Sequence, residues 1–422
     1  MRPEMHSRNG RARILEPGFP SRTATGAPAG VGRTFALLLS TGLLLASPVA
    51  ALAQTPALAQ EKAAAPHQED PDYRGHFRVF TGAGEPATLD DIVELLDETD
   101  ALLLGETHTD PVGHWIQDRL LGRALERYGG GAESGALRRV ALSMEFFERD
   151  VQPVVNEYLE GLITESQFVD DARAVRYYEE DYRPLVERAR EARIPVIAAN
   201  APRRYVNRVS RLGRQALEAL SPWAMSFLPP MPFPRPSDTY RQEWETLMRE
   251  MPMVPQCEPP PGEATDETDP TADELPDMPP HQVEAPPVHP DTTEADTRPH
   301  GMPPHGEPPH GMPSHMMGDF MENGLQAQTL WDASMAHSIT SFLDMNPGSL
   351  VVHVVGGFHV QNFTGIPEQI RHYRPETRVL VVAMEVTEDF QTFRDEEFGG
   401  LGDFVILTDK ALDKYYERNC LR

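Results

Sequence analysis

The amino-acid sequence predicts an α/β protein, with a mostly parallel β-sheet, helices on both faces, a helical lobe and a disordered insertion rich in proline and histidine. The prediction rests first on short, almost continuously apolar segments that alternate with segments of helical periodicity. Strands that are apolar along their whole length are typical of parallel sheets, because helices cover both faces of such a sheet. The second observation is that four successive apolar segments each end at polar or ionisable residues.

Six segments have the length and apolar content of a buried strand. They are separated by segments in which apolar residues recur at the spacing of a helix face. The predicted strands are 101–104, 139–144, 194–199, 349–355, 378–384 and 404–407. The predicted helices are 88–96, 113–128, 151–162, 182–192, a helix that ends near 212, and 323–344.

The composition excludes several classes of protein. The chain has 422 residues, with 65 acidic residues against 38 lysines and arginines, and a formal net charge of -27. Because nucleic-acid binding depends on broad basic surfaces, we expect no nucleic-acid partner. The 2 cysteines are too few for a disulfide framework or for a cysteine-based zinc module.

Residues 1–53 have the pattern of a secretory signal peptide with an amino-terminal extension. Arginines precede an apolar segment at 35–46, and small residues follow it up to Ala53. This segment is shorter than the roughly 18 apolar residues that a membrane-spanning helix needs. An uncleaved anchor is the alternative, and membrane association stays open, although no cysteine for lipid attachment lies near the cleavage point. We expect a periplasmic or secreted protein in which residues 54–72 form a flexible lead-in.

A second segment, 252–317, is predicted to be a disordered insertion. Residues 252–313 contain 18 of the 41 prolines, and residues 258–298 contain twelve acidic residues and one arginine, a contribution of -11 to the net charge. The segment has no apolar periodicity, so it cannot bury enough surface to offset the entropy that is lost when a chain becomes ordered. The foldable domain is therefore predicted to comprise 73–251 and 318–422.

Polar and ionisable side chains follow four of the predicted strands. In an open parallel sheet the carboxyl ends of the strands lie at one edge, and ligands bind there. Two histidines and two carboxylates can ligate a divalent metal or transfer protons around an activated water, and an arginine can hold a carboxylate. The residues at the strand ends are Glu106, His108, Glu145, Asn200, Arg203 and His359.

Each of these residues also has an ordinary structural interpretation. Glu106 and Glu145 could cap the helices that follow them. The two histidines could be satisfied in turns, and Arg203 could face solvent from the first turn of a helix. The coincidence at four strand ends favours a functional site over these alternatives.

Two Gly-x-x-His motifs carry a resemblance to a known family. They are Gly105-Glu106-Thr107-His108 and Gly356-Gly357-Phe358-His359, with Ser-Met-Glu-Phe-Phe at 143–147 between them and further motifs at 114–117, 200–203, 328–336 and 364–367. In this order the motifs resemble the ChaN-like family of haem-binding uptake proteins. That family lies in the superfamily of TraB, the Tiki proteases and the erythromycin esterases. The resemblance covers roughly 73–384 and is interrupted by the insertion.

The resemblance implies an α/β fold, a role in bacterial haem or iron uptake, and haem bound between the protomers of a homodimer. Haem iron would need a tyrosine or histidine ligand beside an apolar surface. The segment 175–182 offers Tyr177, Tyr178 and Tyr182 as ligands, with ordinary helix packing as the alternative. The chain differs from ChaN-type lipoproteins in two respects, the missing lipid-attachment cysteine and the large insertion. The missing cysteine places outer-membrane anchoring in question, and the large insertion places the haem-binding face in question.

The hydrolase branches of the superfamily imply a different role for the same positions. There the matching residues bind metal or act as bases, which in this chain means Glu106, His108, Glu145 and His359. A metal-dependent hydrolase is therefore the alternative function, with a divalent ion on His108, Glu145 and His359 and with Glu106 and Arg203 as further catalytic residues. The leading prediction is an exported haem- or iron-binding protein of the ChaN-like type.

The insertion also contains a histidine repeat. His300, His305, His310 and His315 recur every five residues and are interleaved with methionines. Imidazole binds zinc, nickel and copper(II), and thioether sulfur suits copper(I). The spacing does not fit a tetrahedral zinc finger, so the repeat predicts weak, exchangeable metal binding, with a low-complexity loop as the alternative. A metal-buffering protein is thus a third functional class.

Overall fold

The computed structural model of the chain describes residues 73–129, 137–250 and 314–415, without the side chains of residue 250 and residues 314–317. The predicted signal peptide, the lead-in 54–72 and residues 252–313 of the predicted insertion lie outside the described residues. The described residues belong to one compact unit. Within these ranges, no helix combines the length and the apolar character that a membrane-spanning segment requires.

In the described residues, eight strands form one mixed, mostly parallel sheet in the order β2-β1-β8-β7-β3-β6-β4-β5. The five central pairs, β8-β7, β7-β3, β3-β6, β6-β4 and β4-β5, are parallel, whereas β1 runs antiparallel to both β2 and β8. The strands are β1 Phe77–Thr81, β2 Pro86–Ala87, β3 Ala101–Glu106, β4 Val140–Glu148, β5 Val196–Asn200, β6 Leu350–Gly356, β7 Val379–Thr387 and β8 Phe404–Asp409. The predicted fold class and all six predicted strands are confirmed, and the short β1 and β2 were not predicted.

Twelve α-helices connect or flank these strands in the described part of the chain. Several segments of 3-10 helix, including Arg149–Val151 and Gly357–His359, lie at strand ends. The α-helices are α1 Leu89–Glu94, α2 Pro111–Tyr128, α3 Gln152–Leu159, α4 Glu165–Asp171, α5 Tyr178–Asp181, α6 Arg183–Glu191, α7 Arg203–Leu212, α8 Pro222–Met225, α9 Asp238–Glu250, α10 Ser314–Met345, α11 Ile366–Tyr373 and α12 Asp395–Phe398.

One predicted helix is confirmed almost to the residue, and another begins earlier than predicted. The helix predicted at 182–192 is α6 Arg183–Glu191, which has a proline in its first turn and follows the short α5 Tyr178–Asp181. Proline fits a first turn because it has no N–H group to donate. Helix α10 begins at Ser314 rather than at residue 323, within the stretch that was predicted to be disordered.

The side chains of β3 show that both faces of the sheet are buried. Leu102 and Leu104 pack into one hydrophobic core together with residues of α2, α3 and α6. Ala101 and Leu103 point the other way, into a second core formed with α7, α10 and α11. Full burial of one leucine stabilises the fold by about 1.5–3 kcal/mol, so the continuously apolar strand is explained by helices on both sides.

The parallel strands bring their carboxyl ends to one edge of the sheet. Glu106 ends β3, Asn200 ends β5 and Gly356 ends β6. In β4 the pairing register with β5 shifts between Met144 and Glu148, and Glu145 lies in this irregular stretch. Such irregularities redirect side chains at the end of a strand.

Strand β5 is one of the two outer strands of the sheet, and a glutamine side chain covers its exposed backbone. Gln152 Nε2 donates to the Val196 carbonyl oxygen at 2.8 Å, and the Ala198 N–H donates to Gln152 Oε1 at 2.8 Å. The amide thus takes the place of a further strand. An edge that is satisfied in this way is protected from pairing with another chain.

Replacement of Gln152 by leucine tests this role. Gln152→Leu removes both hydrogen bonds to β5, so we expect a loss of about 1–3 kcal/mol in the free energy of unfolding, measured by urea denaturation. The control is Gln391→Leu, because the Gln391 side chain is exposed and makes no hydrogen bond in the described part of the chain. Equal stabilities of the two variants would contradict the proposed role of Gln152.

Candidate active site at the carboxyl edge of the sheet

Glu106 is the centre of a buried cluster at the end of β3. Its side chain is 0% exposed and accepts hydrogen bonds on both oxygens. Oε1 accepts from His108 Nδ1 at 2.9 Å and from the Tyr182 hydroxyl at 2.6 Å, and Oε2 accepts from the Gln117 amide of α2. These contacts satisfy a carboxylate that would otherwise be costly to bury.

His114, in the first turn of α2, places a positive charge beside this carboxylate. Its Nε2 lies 3.4 Å from Glu106 Oε1, and its Nδ1 lies 3.2 Å from Oδ1 of Asp181 at the end of α5. Burial alone would lower the pKa of His114, but the two carboxylates outweigh burial and raise that pKa to about 10. Burial would raise the pKa of Glu106, yet His114 and His108 hold it well below its ordinary value. His114 is therefore a cation at neutral pH.

Glu145 lies at the end of β4 and is held from one side only. Its Oε2 accepts a hydrogen bond from the Gly356 N–H at 2.8 Å. Its Oε1 is buried without a hydrogen bond in the described part of the chain and lies 3.6 Å from His359 Nε2. Glu145 thus keeps one acceptor oxygen directed at an imidazole.

His359, in the segment that follows β6, is oriented by a side chain of α10. Its Nδ1 lies 2.5 Å from Asp332 Oδ1, and the Tyr240 hydroxyl of α9 donates to Asp332 Oδ2. His359 Nε2 faces Glu145 and lies 3.2 Å from Gln328 Nε2. Burial alone would lower the pKa of His359, but Asp332 and Glu145 raise it above its ordinary value. In the second cluster, too, neighbouring carboxylates favour the charged form of a buried histidine.

Gly356 joins the two clusters. A Cβ atom at this position would lie 3.0 Å from both Cε1 and Nε2 of His108 and 3.6 Å from Glu145 Oε2. Any side chain would therefore push the His108 ring away from the backbone N–H that binds Glu145. The absence of a side chain in the second Gly-x-x-His motif allows the imidazole of the first motif to pack against it.

His108 is the one accessible group among the four motif residues. Its side chain is 23% exposed, whereas the side chains of Glu106, Glu145 and His359 are at most 1% exposed. Burial alone would lower the pKa of His108, and Glu106 and Glu145 reverse that effect and raise it. A small molecule that enters from solvent meets an imidazole whose ring is fixed by Glu106 and whose charged form is favoured by Glu106 and Glu145.

The described residues do not fit a divalent metal at this edge. Within residues 73–129, 137–250 and 314–415, no three histidine, cysteine, aspartate or glutamate side chains are arranged to hold an ion. Both sides of the two predicted histidine ligands face protein groups. The Nδ1 atoms lie against Glu106 and Asp332, His359 Nε2 lies 3.2 Å from Gln328 Nε2, and the Nε2 side of His108 packs against Gly356. His300, His305 and His310 of the histidine repeat lie outside the described residues, and His315 lies in α10 with its side chain outside the description.

The surroundings of two further predicted site residues, Arg203 and Asn200, do not indicate a function. Arg203 is the first residue of α7 and is half-buried. Asn200 Oδ1 accepts a hydrogen bond from the Ala201 N–H at 2.8 Å, so this side chain turns back onto its own backbone.

The three predicted haem-ligand tyrosines differ in accessibility. Tyr178 is 2% exposed and packs in the core, with its hydroxyl buried and without a hydrogen bond in the described structure. Tyr182 stacks on Phe146 with ring centroids 3.9 Å apart and donates to Glu106. Tyr177 is half-buried, with the Arg176 guanidinium 5.3 Å from the centre of its ring.

Four site residues were not predicted. His114, Asp181, Tyr240 and Asp332 come from helices, and they complete the two clusters. His114 and Asp332 lie in segments that carry the family resemblance. Their sequence signal is an ionisable residue within an apolar helix face, since such a residue needs a buried partner.

The raised pKa of His114 predicts how stability depends on pH. A raised pKa in the folded protein stabilises it fully below the ordinary histidine pKa, near 6.5, and this contribution is lost as the pH rises toward 10. The free energy of unfolding should therefore fall between pH 7 and pH 10, with a slope from His114 of up to about 1.4 kcal/mol per pH unit. Urea denaturation at several pH values measures the slope.

His114→Gln should reduce that slope and should destabilise the protein at pH 7 by about 3–5 kcal/mol, because two buried carboxylates lose their cation. The matched control is His372→Gln, which changes an exposed histidine of α11. A His114→Gln protein with the parental slope would show that His114 is neutral in the folded state.

The chain matches one protein-family model and resembles several solved structures at low similarity. The family model described as haem-binding uptake, Tiki superfamily, ChaN matches residues 92–370. Among solved structures, ChaN of Campylobacter jejuni, which binds haem cofacially, is 11% identical, with a TM-score of 0.48 over 79% of this chain and 97% of its own. The erythromycin esterase EreC is 9% identical, with a TM-score of 0.34 over 74% of this chain and 77% of its own. No functionally curated protein matches the sequence.

The family assignment depends on the sequence match, because the structural similarities are low. The match runs from α1 to α11 and includes both Gly-x-x-His motifs, Glu145 and Asp332. It spans more than half of the chain, as the order of the motifs predicted. The chain therefore belongs to the ChaN family of haem-binding uptake proteins in the Tiki superfamily.

Proposed function

We propose that this chain is an exported protein that binds haem and takes part in haem or iron uptake. The observation that carries the proposal is the match of residues 92–370 to a family of haem-binding uptake proteins. Export is supported by the signal-peptide pattern of residues 1–53, so the place of action is the periplasm or the outside of the cell. Haem is the cargo of the protein in this proposal, and two copies of the chain hold it between them.

Tyr177 is the iron ligand in this proposal. A ligand must reach a large planar molecule, and Tyr178 is enclosed in the core. Tyr182 is also buried, its hydroxyl is used by Glu106, and burial together with the Glu106 charge raises its pKa well above the ordinary value. Iron(III) binds the ionised form of tyrosine, so both environments oppose coordination. Half-buried Tyr177 keeps part of its surface in water beside the Arg176 guanidinium.

Titration with haemin tests the haem proposal. The purified mature chain should bind haemin with a saturable shift of the Soret band, and Tyr177→Phe should weaken binding by about tenfold or more and change the absorption bands of the complex. Tyr415→Phe, at a tyrosine that is 38% exposed, is the control. Sedimentation with and without haemin measures the proposed dimer.

Two results would contradict these assignments. A protein that shows no saturable Soret shift would contradict haem binding itself. Unchanged haemin affinity and unchanged spectra in Tyr177→Phe would contradict Tyr177 as the ligand while leaving haem binding in place.

The second candidate function is hydrolysis, and it is favoured by the geometry of His108. The ring is accessible, its Nδ1 is fixed by Glu106 at 2.9 Å, and Glu106 and Glu145 raise its pKa, which favours the protonated form. An oriented imidazolium of this kind can donate a proton to a leaving group. Because the described histidines and carboxylates do not fit a metal, we propose that this activity depends on proton transfer by His108 and not on a divalent ion.

A panel of activated and natural esters tests the second candidate. The chain should hydrolyse at least one ester after treatment with EDTA, and His108→Gln should lower kcat by about 100-fold or more. His372→Gln should retain the parental rate. Hydrolysis that EDTA abolishes and that zinc or manganese restores would favour the metal-dependent alternative. Equal rates of His108→Gln and the parent would remove His108 from the mechanism.

A further inference from the structure

A groove lies beside the outer strand β5, between α3 and α10. It encloses about 460 Å3, a volume within the range of small-molecule sites. Its polar lining includes Arg149, Asn156 and Ser341, and its apolar lining includes Phe227, Phe342 and Met345. None of these residues belongs to the two histidine clusters described above.

Arg149 brings a positive charge to this groove that no carboxylate balances. In the described part of the chain no aspartate or glutamate lies within ion-pair distance of its guanidinium, and its hydrogen-bond contact is His337 Nδ1 at 3.3 Å. Burial and the neighbouring Arg149 lower the pKa of His337 to about 4, so this imidazole is neutral. Burial also lowers the pKa of Arg149, which shows that its charge is partly removed from water.

Asp150, the next residue along the chain, has oppositely charged partners, in contrast to Arg149. Asp150 pairs with Arg173 and with Arg204, each at 2.6 Å. The acidic neighbour of Arg149 is therefore used by other arginines. In a chain with a net charge of -27, a half-buried guanidinium without a carboxylate calls for an anionic partner.

A second donor lines the same groove. Asn156 Oδ1 accepts a hydrogen bond from Gln152 Nε2 at 2.9 Å, which fixes the orientation of the Asn156 amide. The NH2 group of Asn156 makes no hydrogen bond within the ranges that the structure describes, and residue 156 is exposed. Arg149 and Asn156 thus offer N–H donors to a ligand in the groove.

The other end of the groove is apolar and continues onto the surface. Met345 is 75% exposed, and Trp223 is 68% exposed and packs against Phe227 with ring centroids 4.8 Å apart. Exposed aromatic and methionine side chains that adjoin a groove are typical of surfaces that bind an apolar ligand.

A bound peptide strand does not fit this groove. Strand addition requires free backbone groups on the outer strand. Gln152 already occupies the Val196 carbonyl and the Ala198 N–H of β5. The side chains of the groove, and not the backbone, are available to a ligand.

We propose that this groove binds a carboxylate attached to an apolar body, with the carboxylate on the Arg149 guanidinium and the apolar body against Phe227 and Phe342. A planar guanidinium matches a carboxylate with two parallel hydrogen bonds. Two sources share this chemistry, the propionates of haem and the head group of a fatty acid. The proposed site does not depend on the haem proposal.

Fluorescence titration of the full chain with 11-(dansylamino)undecanoic acid tests the site. Arg149→Gln should weaken binding of the probe by about tenfold to a hundredfold, and the methyl ester of the probe should bind the parent equally weakly. Arg149→Gln should give no further loss with the ester. Arg211→Gln, at an exposed arginine that bonds to a carbonyl of its own helix, is the control.

A second variant covers the case in which Arg149→Gln fails to fold. Asn156→Asp changes an exposed residue and places a carboxylate in the groove. Because that carboxylate repels the carboxylate of the probe, the variant should bind the probe more weakly, with little change in the free energy of unfolding. Competition by haemin would assign the groove to haem propionates, and competition by laurate without competition by haemin would assign it to fatty acids. Equal binding of acid and ester, parental affinity in both variants, or no binding of the probe would overturn the proposal. A chain dimer that closes the groove to the probe would also overturn it.

Discussion

The carboxyl edge of the sheet is organised by the need to neutralise two buried carboxylates. Glu106 and Glu145 stand at the carboxyl ends of β3 and β4, the two parallel strands that flank β6, and water does not reach either side chain. An isolated ionised carboxylate in such a place would cost several kcal/mol or more. The chain meets this requirement with histidines, His108 and His114 for Glu106 and His359 for Glu145.

This requirement connects the two layers of helices. His114 belongs to α2, whose apolar face packs into the core on one side of the sheet, and Asp332 belongs to α10, which packs into the core on the other side. Tyr240 of α9 binds Asp332 and so ties a third helix to the same edge. The positions of these helices are therefore fixed by charge pairs as well as by apolar packing. Buried polar networks that are satisfied in this way stabilise a single arrangement of a core.

The sequence was informative about the strands and their ends. Continuous apolar segments predicted β3 to β8, and the residue that follows each apolar segment is visible without a structure. For this reason Glu106, Glu145 and His359 could be placed at one edge, and the structure brings them together there. The family could also be predicted from the sequence, because the Gly-x-x-His motifs are short and local.

The helix residues that pair with Glu106 and His359 could not be predicted from the sequence, for a physical reason. Whether His114 meets Glu106, or Asp332 meets His359, depends on how far each helix slides and rotates on the sheet, and a helical pattern does not specify this. The metal prediction illustrates the limit. Two histidines and two carboxylates on one edge are compatible with an ion, but in the structure Glu106 and Asp332 take the Nδ1 atoms of His108 and His359, and no three candidate ligands converge in the described part of the chain. Strand β2 was missed because it has only two residues, and β1 was missed because it is buried over only part of its length and lacks the continuous apolar pattern of the parallel strands.

Nitrogen NMR of the histidine rings measures the central claim most directly. At pH 8 the account predicts that the His114 ring carries protons on both nitrogens and titrates near pH 10. His353 is the internal reference, because burial lowers its pKa to about 3 and keeps the ring neutral in the same spectrum. A neutral His114 at pH 8, titrating near the ordinary value of about 6.5, would contradict the claim that a buried His114 cation neutralises Glu106 at this edge.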